Sequence, residues 1–210
     1  MSRWLLRIIP IFLLSIFLTG CSSEGKRESK KGAEMKIYII PVGDVDEETL
    51  FKLSWALREK FQAVFQVGKR LPLPKDAYRP KRGQYFSSRI LEELKRNVPQ
   101  DADKVLGILD VDIFVPVLNF IFGQADLGKD VALISLTRLR EEFYENSKNE
   151  KLFLERALKE AVHELGHTFG LRHCLNPKCV MYFSNSLRDT DIKGSDFCEQ
   201  CAKRLEIKLK

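Results

Sequence analysis

The sequence predicts an α/β domain, given α+β character by a small C-terminal subdomain. Three observations carry that reading. From residue 35 to residue 165, apolar runs of strand length alternate with stripes of helical period. After Gly170 the texture changes to a segment containing cysteine, proline and glycine. All three histidines, His163, His167 and His173, fall within eleven residues where those two parts meet. A cleft between the parts is the expected place for a site.

Met35 to Val42 (MKIYIIPV) reads as a first strand, apolar enough to be buried on both faces. Asp44 or Asp46 can cap the following helix, whose core stripe is Leu50, Leu53, Leu57, Phe61 and Val64. A short strand is expected around Val67 to Leu73, and Pro72, Pro74 and Pro80 mark a loop. Ser87 opens a second amphipathic helix through Ile90, Leu91 and Leu94, stopped by Pro99. Val105 to Asp110 (VLGILD) is another buried strand. Asn119 to Ala125 and Val131 to Leu136 read as adjacent strands joined by a turn containing Asp126, Gly128 and Lys129. From about Asn149 a helix runs through Leu154, Leu158, Ala161 and Leu165 and delivers the first two histidines. The stretch from Cys179 to Cys198 reads as mostly loop, and a last helix is expected from Phe197 to Leu209.

The histidine cluster has the form H-E-x-x-H-x-x-G-x-x-H. Residues four apart share one face of a helix, so His163 and His167 can reach a single metal ion. Gly170 lets the chain leave the helix in a left-handed turn, and His173 can return as a third ligand. Three imidazoles with a fourth position open to water are the donor set of a catalytic zinc. Glu164 stands beside the first ligand, where a carboxylate can take a proton from that water.

Four of the five cysteines begin one residue after His173. Cys174, Cys179, Cys198 and Cys201 form C-x4-C, eighteen residues, then C-x2-C. Paired short spacings around a longer insert suit a closed, structural four-thiolate zinc site. Two disulfides or a redox-active C-x2-C use the same residues, and an exported chain would meet an oxidising compartment.

Residues 1–20 read as a signal peptide. Arg3 supplies the positive start, and Ile8 to Leu18 is an apolar run too short for a comfortable membrane span. It ends in Leu18-Thr19-Gly20-Cys21, which resembles a bacterial lipobox, with an uncleaved anchor and an ordinary secretory signal as the other readings. The resemblance implies that Cys21 carries a lipid and that the protein is exported and anchored to the bacterial cell membrane, on its periplasmic or surface face. Residues 21–34 form a charged tether without apolar periodicity, and residues 35–210 form one domain, expected to be a monomer. The net charge of +6 falls by the two charges of Arg3 and Arg7 on cleavage. So mild a balance is no evidence for nucleic acid.

The residues from His163 to Cys201 together resemble the archaemetzincins of the metzincin metallopeptidases. The carrying features are the extended histidine motif, Cys174 directly after His173, Cys179 followed by Val180-Met181, and Cys198-x-x-Cys201. The resemblance implies a mixed five-stranded sheet, an active-site helix and a C-terminal subdomain stapled by zinc. It implies one catalytic zinc on His163, His167 and His173, Glu164 as general base, and a second zinc on the four cysteines. It also implies a Met-turn at Met181 and a peptide or protein substrate pairing with an edge strand, for which Asn119 to Ala125 is the candidate. Tyr182 and the pair Asp110 and Asp112 read as packing and turn or surface groups. The competing reading is a surface lipoprotein, stabilised by zinc, that holds a peptide or protein without cutting it.

Overall fold

Alternating burial along three central strands sets the architecture. In β1 (Lys36–Val42), Ile37 and Ile39 enter one apolar cluster while Ile40 and Val42 enter another. Period-two side chains put these on opposite faces of a sheet, so both faces must be covered. α1 (Glu47–Phe61) supplies Leu50, Leu53, Leu57 and Phe61 to the first cluster. Asp46 caps it by accepting a hydrogen bond from the Thr49 N–H at 2.7 Å. The helix stops because Gln62 turns left-handed, with φ of 47°. Val64 therefore does not extend the helical stripe as expected but starts β2 (Val64–Val67), and of the expected Val67 to Leu73 strand only an isolated bridge from Leu71 to Val42 remains beyond Val67.

β3 (Tyr78–Arg79) and β4 (Gln84–Phe86) follow, then α2 (Ser87–Arg96), β5 (Lys104–Leu109) and β6 (Ile113–Phe114). β3, β4 and β6 form a small second sheet that the sequence pattern did not signal, since strands of two or three residues are too short to show a period. β7 (Gly123–Ala125) and β8 (Val131–Ser135) complete the main sheet, whose order is β2-β1-β5-β8-β7. Four strands are parallel and β7 is antiparallel, at an edge. The apolar run from Asn119 contributes only its last three residues to that strand, because Ile121 turns aside to bridge Ile113.

α3 (Glu150–Thr168) lies with α1 on one face of the sheet, and Ile90, Leu91 and Leu94 of α2 cover the other. α4 (Leu187–Ile192) is a short helix inside the stretch expected to be loop, and α5 (Glu199–Leu209) ends the chain. The part after Gly170 is small, and among the described residues it has no separate core: Leu171, Val180, Met181 and Leu205 join the α1–α3 cluster. The computed structural model describes residues 34–209, and the signal peptide and nearly all of the tether lie outside them. Among the described residues no helix is long and apolar enough to cross a membrane.

Candidate active site

The last two turns of α3 place Glu160, His163, Glu164 and His167 on neighbouring positions of one helical face. The helix then ends as Gly170 takes φ of 78°, with the Leu171 N–H donating to the Gly166 carbonyl at 3.1 Å. This reversal brings His173 back. The ring centroids of the three histidines lie 4.7 Å, 4.9 Å and 5.3 Å apart. Each offers a nitrogen within 4.8 Å of the others.

Backbone carbonyls set the tautomers. His163 Nδ1–H donates to the Val180 carbonyl at 2.8 Å, and His167 Nδ1–H donates to the Leu171 carbonyl at 2.7 Å. The Nε2 lone pairs are thereby turned inward and lie 3.1 Å apart. Two acceptors at that distance repel unless a positive charge lies between them. The edge of a tetrahedron with zinc–nitrogen bonds of about 2.0 Å is about 3.3 Å, so the pair fits zinc. His173 is the exposed member and packs its ring on Phe183 at 4.9 Å.

The protonation states match. Burial holds the His163 imidazole well below its ordinary range, and the Lys193 ammonium and the other two histidines add to the effect. Burial also lowers His167 and His173. Glu164 moves the other way: burial first, then the neighbouring Glu160 carboxylate, raise it well above the usual carboxylate range, and Lys193 opposes them. No described residue hydrogen-bonds the Glu164 carboxyl.

Acidification acts on these groups in opposite senses. Unfolded histidines titrate near 6.5 and bind protons more readily than these buried ones, so folded stability is lost as pH falls below that value. The folded Glu164 carboxyl binds its proton more tightly than the unfolded group at 4.5, so protonating it restores stability as pH falls through its raised pKa. In metal-free protein, Glu164→Gln removes that recovery. Its melting temperature is expected to drop more steeply between pH 7 and 5 than the parent's, and parallel slopes would show that Glu164 is not raised.

The cleft in front of the histidines holds about 210 Å³ and is walled by Phe120, Phe122, Gly123 and Phe183. β7 forms one rim, so the expected edge strand does border the site. Met181 is fully buried and packs against Gly166, where a methyl group would come within 2.5 Å of its sulfur. Tyr182 does not line the cleft; Ser184 and Asn185, farther along, do. Asp112 receives two hydrogen bonds from Arg138, at 2.6 Å and 2.7 Å, and Asp110 pairs with Arg140 at 2.7 Å. Both are half-buried anchors of the segment after β8.

One pair escaped the sequence reading. Lys193 is fully buried beneath α3, with its ammonium 3.0 Å from Glu160. Glu160 also accepts a hydrogen bond from Thr190 at 2.9 Å. Glu160 stands one turn before Glu164, a position helical spacing could have marked, but its partner lies 33 residues away and carries no local signal.

Beside this site, the sulfurs of Cys174, Cys179, Cys198 and Cys201 lie within 4.8 Å of one another, and all four are free thiols. The Cys174–Cys198 separation of 3.8 Å is far beyond a disulfide bond and equals the edge of a tetrahedron with zinc–sulfur bonds of about 2.3 Å. The Cys201 backbone N–H helps pull the Cys198 thiol down to about 7, near the point of ionisation.

Comparison with known proteins agrees with this geometry. The sequence pattern of peptidase family M54 matches residues 58–207. The archaemetzincin of Methanocaldococcus jannaschii is 47% identical over 175 residues, covering 82% of this chain and 93% of that one. The archaemetzincin of Pyrococcus furiosus is 46% identical over 181 residues, with the same coverage. The crystal structure of archaemetzincin from Methanopyrus kandleri superposes with a TM-score of 0.75 at 35% identity, covering 87% of this chain and 99% of that one.

Proposed function

Because the chain belongs to peptidase family M54, the archaemetzincin zinc metallopeptidases, we propose that His163, His167 and His173 hold its catalytic zinc and that Glu164 is its general base. The convergence of three inward-facing imidazole nitrogens beside an unbonded carboxyl carries the assignment. Zinc, when bound, supplies a Lewis-acidic charge that lowers the pKa of water toward neutrality and polarises a carbonyl. The chain does the rest. The Val180 and Leu171 carbonyls hold two ligand rings in the required tautomer. Glu164 accepts a proton from the attacking water and returns it to the leaving amine. Among the described residues the outer edge of β7 has no strand partner, so an extended peptide can pair with it beside the aromatic walls of the cleft. An intact base beside intact ligands leaves the reading as a non-catalytic binder without support.

The four cysteines hold a second, structural zinc that ties the N-terminal end of α5 to the turn after the third histidine ligand. Native mass spectrometry of zinc-replete protein is expected to count two ions, and Cys201→Ser one, with the melting temperature lower by about 10 °C. One ion in the parent would remove the second site. Residues 1–21 support export and a lipid on Cys21, and the domain acts on peptides as a monomer. Screening peptide libraries tests the activity itself: cleavage should vanish with a chelator and return with zinc.

A further inference from the structure

Gly123 occupies the point where β7 crosses the carboxyl of Glu164. A methyl group built on it would lie 2.6 Å from Glu164 Cγ and 2.7 Å from Oε1, with the Leu133 carbonyl oxygen at 2.8 Å. Non-bonded carbons rest at about 3.5–4.0 Å. Backbone strain is not the reason for glycine here, since Gly123 is not among the residues with positive φ. Space is the reason.

The strand cannot retreat, because it is held on its other face and at its ends. Side chains alternate along β7, so Gly123 and Ala125 face α3 while Gln124 faces α2. There the Gln124 side-chain oxygen accepts from the Ser87 hydroxyl at 2.6 Å, and its amide donates to the Ser88 hydroxyl at 3.1 Å. Just before Gly123, the Phe122 carbonyl accepts from the Ser135 N–H at 2.7 Å. Within the turn that follows, the Gly128 N–H donates to the His167 carbonyl at 2.8 Å, fixing the hairpin to the end of α3. None of the described residues hydrogen-bonds the Glu164 carboxyl, so its place is set by what it packs against, Gly123 first among them, and by the charges of Glu160 and Lys193.

We infer that Gly123 is a positioning residue, whose missing side chain is the seat of the Glu164 carboxyl. This rests on reading Glu164 as the general base. An added methyl group displaces the carboxyl, and its three nearest neighbours include no histidine of the site. A misplacement of about 1 Å costs on the order of 100-fold in rate.

Two readouts test this. In zinc-loaded protein, Gly123→Ala should lower kcat about 100-fold with KM and zinc content unchanged; parental kcat, or a loss confined to KM or explained by lost zinc, overturns the inference. The second readout does not depend on catalysis. The drop in melting temperature caused by Gly123→Ala is measured in the parent and in Glu164→Ala, where the clashing atoms are gone. The inference requires the drop to shrink by at least half, or a variant that fails to fold in the parent to fold in Glu164→Ala. A drop that shrinks by less than half, or failure to fold in both, assigns the clash to Leu133 and overturns it. If Glu164→Gln proves fully active, the general-base reading fails whatever this cycle gives.

Discussion

Replacing Glu164 with glutamine is expected to cut kcat by about 1000-fold while leaving KM, zinc content and fold in place. The amide matches the carboxyl in shape, so it occupies the same seat beside Gly123, where a methyl group would reach within 2.6 Å of the native side chain. It cannot accept a proton at working pH. General acid–base catalysis by a placed side chain contributes about 100-fold to 10,000-fold, and here one group serves in both proton transfers. Since burial and Glu160 raise the carboxyl, its charged form is disfavoured in the metal-free fold, and the neutral amide should melt no lower than the parent at pH 7. The measurement is kcat and KM on a library-selected peptide, with zinc counted in the same samples. Parental turnover with zinc bound would remove Glu164 from the mechanism. Lost turnover with lost zinc would make it a support for the ligands instead.

The parts of the site legible in sequence share one property: their geometry is local. His163, Glu164 and His167 lie on adjacent helical turns, and Gly170 announces the reversal that returns His173. The cysteine spacing works similarly, because each pair is bridged by only a few residues. The main strands were legible because Ile37, Ile39, Leu106 and Ile134 repeat on strands long enough to show their burial. The second sheet and the true length of β7 depend on pairings such as Ile121 with Ile113, which no local pattern records. Val64 shows how one backbone residue can move a boundary. It continues the apolar spacing of α1, yet a single left-handed residue, Gln62, hands it to a strand. Gly123 was visible as a glycine in an apolar run, but what it makes room for comes from α3, some forty residues later.

Breaking the Lys193–Glu160 pair is expected to cost as much as emptying a core position, although neither residue belongs to the proposed metal sites. The Lys193 side chain is fully buried and that of Glu160 is 4% exposed, so neither charge can turn to water. Lys193→Met leaves the Glu160 carboxylate with Thr190 as its remaining hydrogen-bond donor, one turn from the buried Glu164. Removing one partner of such a pair costs about 3–5 kcal/mol, whereas replacing both by apolar groups is often close to neutral. For a domain of this size that is a drop on the order of 10 °C for Lys193→Met or Glu160→Leu alone. The double variant Glu160→Leu/Lys193→Met should recover most of it. Denaturant midpoints of all four proteins decide the matter. Single-variant costs below about 1 kcal/mol that simply add would mean the pair is relaxed by water. The expected large, non-additive cost would mean that the loop carrying Lys193, which leads directly to Cys198 and Cys201, is clamped to the catalytic helix by charge as well as by packing. The two proposed metal sites would then share one support, because the ammonium that neutralises Glu160 also lies 3.5 Å from Nδ1 of His163.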